Sequence, residues 1–156
     1  MAQKPTPTLE ELIPGGSNYC FTENIYGLQW WGDICIKPGI DSIYTIDPQS
    51  GKEKLLITRE SLNHALTEKG FKKLSHLQSV SFPWSDRTEF LIPQRNTYIT
   101  YNFVKDRIES VVTVKEGAQN KEYNTANGNV AYTIGNNLYI NDTAVTNETK
   151  EGIVCG

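Results

Sequence analysis

Two stretches of this chain superpose at an offset of 41 residues without a gap, and that repeat restricts the fold more than any bulk property. Phe82 falls on Tyr123, Ser85-Asp86-Arg87 on Ala126-Asn127-Gly128, Asn96 on Asn137, Tyr98 on Tyr139 and Ile99 on Ile140. The middle portions agree less well, with Phe90-Leu91-Ile92 meeting Ala131-Tyr132-Thr133. In the second copy Asn127-Gly128 reads as a two-residue hairpin turn, since both central residues of the favoured turn need a positive φ. Gly135-Asn136-Asn137 is a second turn of the same chemistry, opening a strand at Leu138-Tyr139-Ile140. Ile43-Tyr44-Thr45-Ile46 is a looser third copy of that strand. Short strands repeating every 40–45 residues or so have the period of β-propeller blades.

The fold expected from this pattern is mainly β, with repeated antiparallel β-meanders forming a partial β-propeller of two to three blades and one short inserted helix. Residues 1–24 read as an N-terminal arm in which Thr8 caps a short helix, Leu9–Ile13, stopped by Pro14-Gly15-Gly16. Residues 25–156 read as the incomplete propeller, with blade-like repeats at about 25–58, 74–114 and 120–156. Between the first two lies a helix, 59–69, capped by Thr58 and ended by Gly70, with Leu62, Ala65 and Leu66 on one face. Leu77–Phe82 is expected to be a strand. Closed propellers need about four to eight blades, so an open stack implies a larger protein, self-association or rearrangement. The apolar ending Ile153-Val154-Cys155-Gly156 reads as a truncation.

At 156 residues the chain can bury a core of its own. Its net charge of −3 gives no concentrated basic surface for nucleic acid, and no apolar run is long enough to span a membrane. The opening Met-Ala-Gln-Lys-Pro-Thr-Pro-Thr lacks the apolar segment of a signal peptide. Cys20, Cys35 and Cys155 have no metal-like spacing, and an odd count is not a complete disulfide framework. They read as small buried hydrophobes, with a single Cys20–Cys35 bridge as the alternative.

Candidate site residues are few. His64 and His76 have no second histidine at ligand spacing, so no metal or cofactor is expected, and no nucleophile motif occurs. Trp30 and Trp31 are adjacent in a predicted strand and point to opposite faces, so one could serve as an aromatic contact for a peptide or sugar. Arg95, between Pro93 and Asn96, sits in a connection from which its fork of donors could reach a carbonyl or carboxylate. Asn141-Asp142-Thr143 and Asn147-Glu148-Thr149 fit the glycosylation sequon.

The run Asn129-Val130-Ala131-Tyr132, then Asn136-Asn137-Leu138-Tyr139-Ile140, Ala144-Val145-Thr146 and Glu151–Gly156, resembles the N-terminal propeller region of dipeptidyl peptidase IV, in the prolyl-oligopeptidase-like serine peptidases. Tyr98-Ile99-Thr100-Tyr101-Asn102 is similar to a strand of that family. The resemblance spans roughly residues 28–156. It implies a periplasmic or secreted exopeptidase that removes N-terminal dipeptides, with an eight-bladed propeller capping an α/β-hydrolase domain. Neither the family's paired-glutamate segment nor its catalytic Ser, Asp and His falls within this sequence. Its substrate-carbonyl arginine corresponds in place to Arg95, here on a much shorter connection.

Two functions are therefore expected. One is a non-catalytic propeller portion of such a peptidase, gating and orienting the peptide, whose partners are the hydrolase domain and the remaining blades. The alternative is a stand-alone β-rich binding or scaffold module that recognises a peptide or glycan through Trp30 or Trp31.

Overall fold

The computed structural model describes residues 6, 8–16, 27–150, 152, 153 and 155. Cys20, most of the N-terminal arm and Val154 lie outside the described residues. Three antiparallel sheets follow one another along the chain. The first is β1 (Gln29–Trp31), β2 (Ile34–Pro38), β3 (Ser42–Ile46) and β4 (Glu53–Thr58), in sequential order. The second is β5 (Glu89–Gln94), β6 (Thr97–Asn102) and β7 (Arg107–Thr113). The third is β8 (Gln119–Tyr123), β9 (Val130–Ile134), β10 (Asn137–Ile140) and β11 (Thr143–Ala144). Within each sheet the strands pair in sequence order, so the mainly β, meander-built fold read from the repeat is the one observed.

Two helices accompany the sheets among the described residues. In α1 (Leu9–Leu12) the Thr8 amide donates to Glu11 Oε2 at 2.7 Å. In α2 (Arg59–Glu68) Thr58 Oγ1 accepts from the Ser61 amide at 3.2 Å, and Leu62 and Leu66 are fully buried. At its end Gly70 takes φ 80° while the Gly70 and Phe71 amides reach back to Thr67 O and Leu66 O. That pair of bonds is the Schellman closure.

The main core lies between the first two sheets. Ile36, Ile43 and Ile57 from one side meet Phe90, Ile92, Ile99 and Tyr101 from the other, closed by Leu62, Leu66 and Leu77. Burial, and then a hydrogen bond to Asp106, pushes the Tyr101 phenol pKa up. A smaller cluster joins the second and third sheets, with Val130 and Tyr132 packed on Tyr98, Val112 and Val114.

Three sequence expectations need correction. Asn127-Gly128 is not a two-residue turn. The loop runs from Asn124 to Asn129, closed by Asn124 N to Asn129 O at 2.7 Å, and only Gly128 has a positive φ, 76°. Asn124 makes it a six-residue turn, because its Oδ1 accepts from the Ala126 amide and fixes the first bend locally. The same loop recurs at Asp47–Lys52, where Asp47 caps and Gly51 is left-handed. It recurs again at Asn102–Arg107, where Asn102 caps and Asp106 is left-handed.

The repeat is also offset differently in its middle. Gln94 and Thr97 flank the turn Arg95-Asn96, and Ile134 and Asn137 flank Gly135-Asn136, a spacing of 40 rather than 41. At 40, Phe90 and Ile92 align with Val130 and Tyr132, all four buried against the preceding sheet. A one-residue slip exchanges the faces of a strand, which is why those positions matched poorly in sequence.

Lastly, Leu77–Phe82 is not a strand. Only Ser81 bridges, to Leu91, because the chain turns at Leu77–Val80 and Pro83 offers no amide to extend the pairing. The Gln29 side chain substitutes for a neighbour, donating to Val80 O at 2.8 Å and accepting from Phe82 N at 3.0 Å.

Candidate functional site

Antiparallel meanders send alternate connections to opposite ends of each sheet. The turns at Gly39–Asp41, Arg95-Asn96 and Gly135-Asn136 therefore share one end, and the three six-residue loops share the other. Cross-links confirm the alignment of the sheets. At the first end the Leu77 amide reaches Gly39 O at 3.2 Å, and Lys121 Nζ reaches Arg95 O at 2.8 Å. At the second, Trp31 Nε1 donates to Arg87 O at 2.8 Å and Trp84 Nε1 to Thr125 O at 2.7 Å.

Arg95 is the first central residue of a two-residue turn and has φ 52°. Four non-glycine residues among those described have positive φ, and the other three are Asp106, Asn120 and Asn141. Asn and Asp tolerate this region, whereas for an arginine it costs roughly 1–2 kcal/mol. The equivalent position in the third sheet is Gly135, at φ 56°. An arginine thus stands where glycine would be relaxed. Strain of this kind concentrates at binding sites, and it is held here by surrounding bonds.

Those bonds are specific. Lys121 Nζ also donates to Asn96 Oδ1 at 3.0 Å, the Val114 amide donates to Asn96 O at 2.8 Å, and Gln94 Nε2 donates to Lys72 O at 2.8 Å. The backbone of the turn is fixed while the Arg95 side chain is exposed. Among the described residues its guanidinium has no hydrogen-bond or ion-pair partner. It borders a groove of about 500 Å³ together with Lys72, Lys73, His76, Ser79 and Asn96. A larger hollow of about 790 Å³ beside α2 contains Arg59, but that cation is already paired with Asp41 at 2.5 Å.

The tryptophans are not brought to this groove. Trp31 lies perpendicular to Phe103 at 5.0 Å between centroids and is half-buried against the inter-sheet core. Trp30 is 65% exposed on the opposite face of the first sheet. Both precede the Gly32-Asp33 turn, at the end away from Arg95. Cys35 and Cys155 are free thiols and half-buried rather than buried. Asn141 is occupied, accepting from Val130 N and donating to Asn129 Oδ1, so its sequon side chain is structural. No group of three or more metal-ligating side chains occurs among the described residues. Lys72, Lys73 and Lys121 escape a motif search. The one sequence signal is that residues 69–85 hold three lysines and a histidine but no acid, in a chain with 18 acids.

No family model and no curated protein sequence matches the chain. Among solved structures it is similar to a protein of Bacteroides ovatus described as a "putative dipeptidyl aminopeptidase IV". The two share 56% identity over 98% of this chain, with a TM-score of 0.81. The resemblance to dipeptidyl peptidase IV holds. This chain spans 22% of that protein's length.

Proposed function

We propose that this chain is part of the propeller region of a dipeptidyl peptidase IV-like serine exopeptidase, itself non-catalytic, and that it helps gate and orient the peptide. The observation that carries the reading is the 56% identity over 98% of the chain to a protein of which it spans 22%. The sheet surfaces support it. The inward face of the first sheet carries Trp31, Ile36, Ile43 and Ile57. Its outward face carries the cross-strand rows Trp30, Cys35, Ile46 and Lys37, Tyr44, Leu55, with Trp30 and Leu55 exposed. A sheet with large apolar side chains on both faces suits a place between two others. The remaining blades and an α/β-hydrolase domain are the partners this implies, in a periplasmic or secreted protein.

In this reading Arg95 approaches the peptide backbone. A planar, always-charged donor fork held on a fixed turn suits a carbonyl oxygen, and such positioning is how a site without reacting groups contributes to rate. The test is to express the longer reading frame containing these residues. We expect it to release dipeptide from Gly-Pro and Ala-Pro chromogenic substrates and to be labelled by a fluorophosphonate, while the 156-residue chain does neither. A folded longer protein that fails both assays would overturn the proposal.

A further inference from the structure

We propose that the groove between the Arg95-Asn96 turn and residues 70–76 is a binding site for carboxylate side chains of an acidic peptide. The argument is one of charge segregation. The chain carries a net charge of −3, yet no acid occurs from Lys69 to Ser85 or from Phe90 to Lys105. The fold brings these two acid-free stretches together, joined by the Gln94 Nε2 to Lys72 O bond of 2.8 Å. The resulting groove of about 500 Å³ is lined by Lys72, Lys73, His76 and Arg95 and by no carboxylate.

The cations are uncommitted. Lys72, Lys73 and Arg95 are exposed and form no ion pair among the described residues, whereas Arg59, Lys105 and Arg107 all do. Ser79 and Asn96 supply polar groups beside them. A guanidinium on a rigid turn offers two parallel donors to one carboxylate, and the lysines act as point charges for its neighbours. Nucleic acid is the poorer occupant. It needs an extended basic surface with stacking rings, and the ring bordering this groove, Phe71, is half-buried in the core.

Choosing a peptide as the carrier of the carboxylates rests on the function proposed above, so the experiment separates the two. The 156-residue chain is titrated with pentaglutamate at low ionic strength by isothermal calorimetry, with free glutamate and a thymidine oligomer as comparison probes. We expect pentaglutamate to bind more tightly than either comparison probe. We also expect a loss of about three- to tenfold in Lys72→Gln/Lys73→Gln, and the same weakening on raising salt to physiological strength. Lys52→Gln, at the opposite end of the sheets, should leave affinity unchanged. The side chains of these lysines make no hydrogen bond or ion pair among the described residues, so circular dichroism should show both variants folded. No pentaglutamate binding, binding unaltered by the double substitution, or tighter binding of glutamate or oligonucleotide would each overturn the inference. Fluorophosphonate labelling of the longer protein is blind to the groove, so either proposal can fail alone.

Discussion

The Lys121 ammonium, on the first strand of the third sheet, donates to the carbonyl of Arg95 at 2.8 Å, in a turn of the second. A second bond from the same nitrogen to Asn96 Oδ1, at 3.0 Å, makes it a clamp on both residues of that turn. Neither acceptor is charged, so the stabilisation comes from a cationic donor in a half-buried place. Such bonds are each worth about 1.5–3 kcal/mol at most, less where water competes. Lys121→Met keeps the aliphatic stem and removes both. We expect a loss of about 1–2 kcal/mol, read as a lower urea midpoint at unchanged slope. Faster amide exchange at Thr97 should accompany it if the turn is what the clamp holds.

Arg95 itself should show stability and binding moving in opposite directions. Its φ of 52° is unfavourable for a side chain and neutral for glycine. Arg95→Gly should therefore raise stability by up to about 1 kcal/mol, after discounting the added freedom of the unfolded chain. In the longer peptidase proposed above, the same change should raise KM for dipeptide substrates about tenfold or more with kcat less affected, as expected for a lost charged hydrogen bond made in ground and transition states alike. An increase in stability with unaltered KM would place Arg95 outside the peptide path.

How much of this was legible in the sequence depends on which physical signal each feature leaves. The meanders were readable because turn residues and period-2 alternation recur in Ile43–Ile46, Thr97–Asn102 and Leu138–Ile140. The register was not fully readable. The connection after Phe82 is one residue longer than the one after Tyr123, since Ser81 meets Leu91 where Glu122 meets Ala131, and alignment without a gap cannot register that. Asn127-Gly128 carries the pattern of a tight turn, but Asn124, three residues earlier, captures the Ala126 amide and sets the longer loop. Arg95 was legible as an arginine in a short connection. Its strain was not, because φ follows from the pairing of Gln94 with Thr97. Lys72 and Lys73 gain meaning only once α2 and its exit fold them against that turn.

The three six-residue loops make an acid-sensitivity prediction. Asp47 accepts from the Ser50 amide at 2.7 Å and the Gln49 amide at 2.9 Å. The Ser50 bonds first, then that of Gln49, hold its carboxyl below the usual carboxylate range. A carboxyl with a depressed folded-state pKa stabilises the fold above its unfolded value, about 3.9, and loses that contribution as pH falls through the folded one. Asn124 and Asn102 cap the equivalent loops without titrating. Asp47→Asn should therefore be nearly neutral at pH 7 and should flatten the fall in melting temperature between roughly pH 4 and 2. An unchanged acid limb would assign the sensitivity to other carboxylates, Glu109 first, whose pKa its hydrogen bond with Arg107 also lowers.

The outward face of the first sheet gives a prediction about the isolated chain. Trp30 lies opposite Cys35, and Tyr44 opposite Leu55, so their side chains form one apolar surface on which Trp30 is 65% and Leu55 50% exposed. The Lys37–Glu53 ion pair, 2.7 Å long, is the charged feature on the same face. In the propeller proposed above another sheet would cover this surface. In the isolated chain it meets water, and burying a tryptophan and a leucine together is worth several kcal/mol, about 25 cal/mol per Å². Concentration-dependent self-association should follow, visible by light scattering. Trp30→Ser/Leu55→Ser should suppress it without lowering the urea midpoint, since neither side chain belongs to the core. If the double variant associates as the parent chain does, the contact lies elsewhere, and the face is not the one that receives a neighbouring blade.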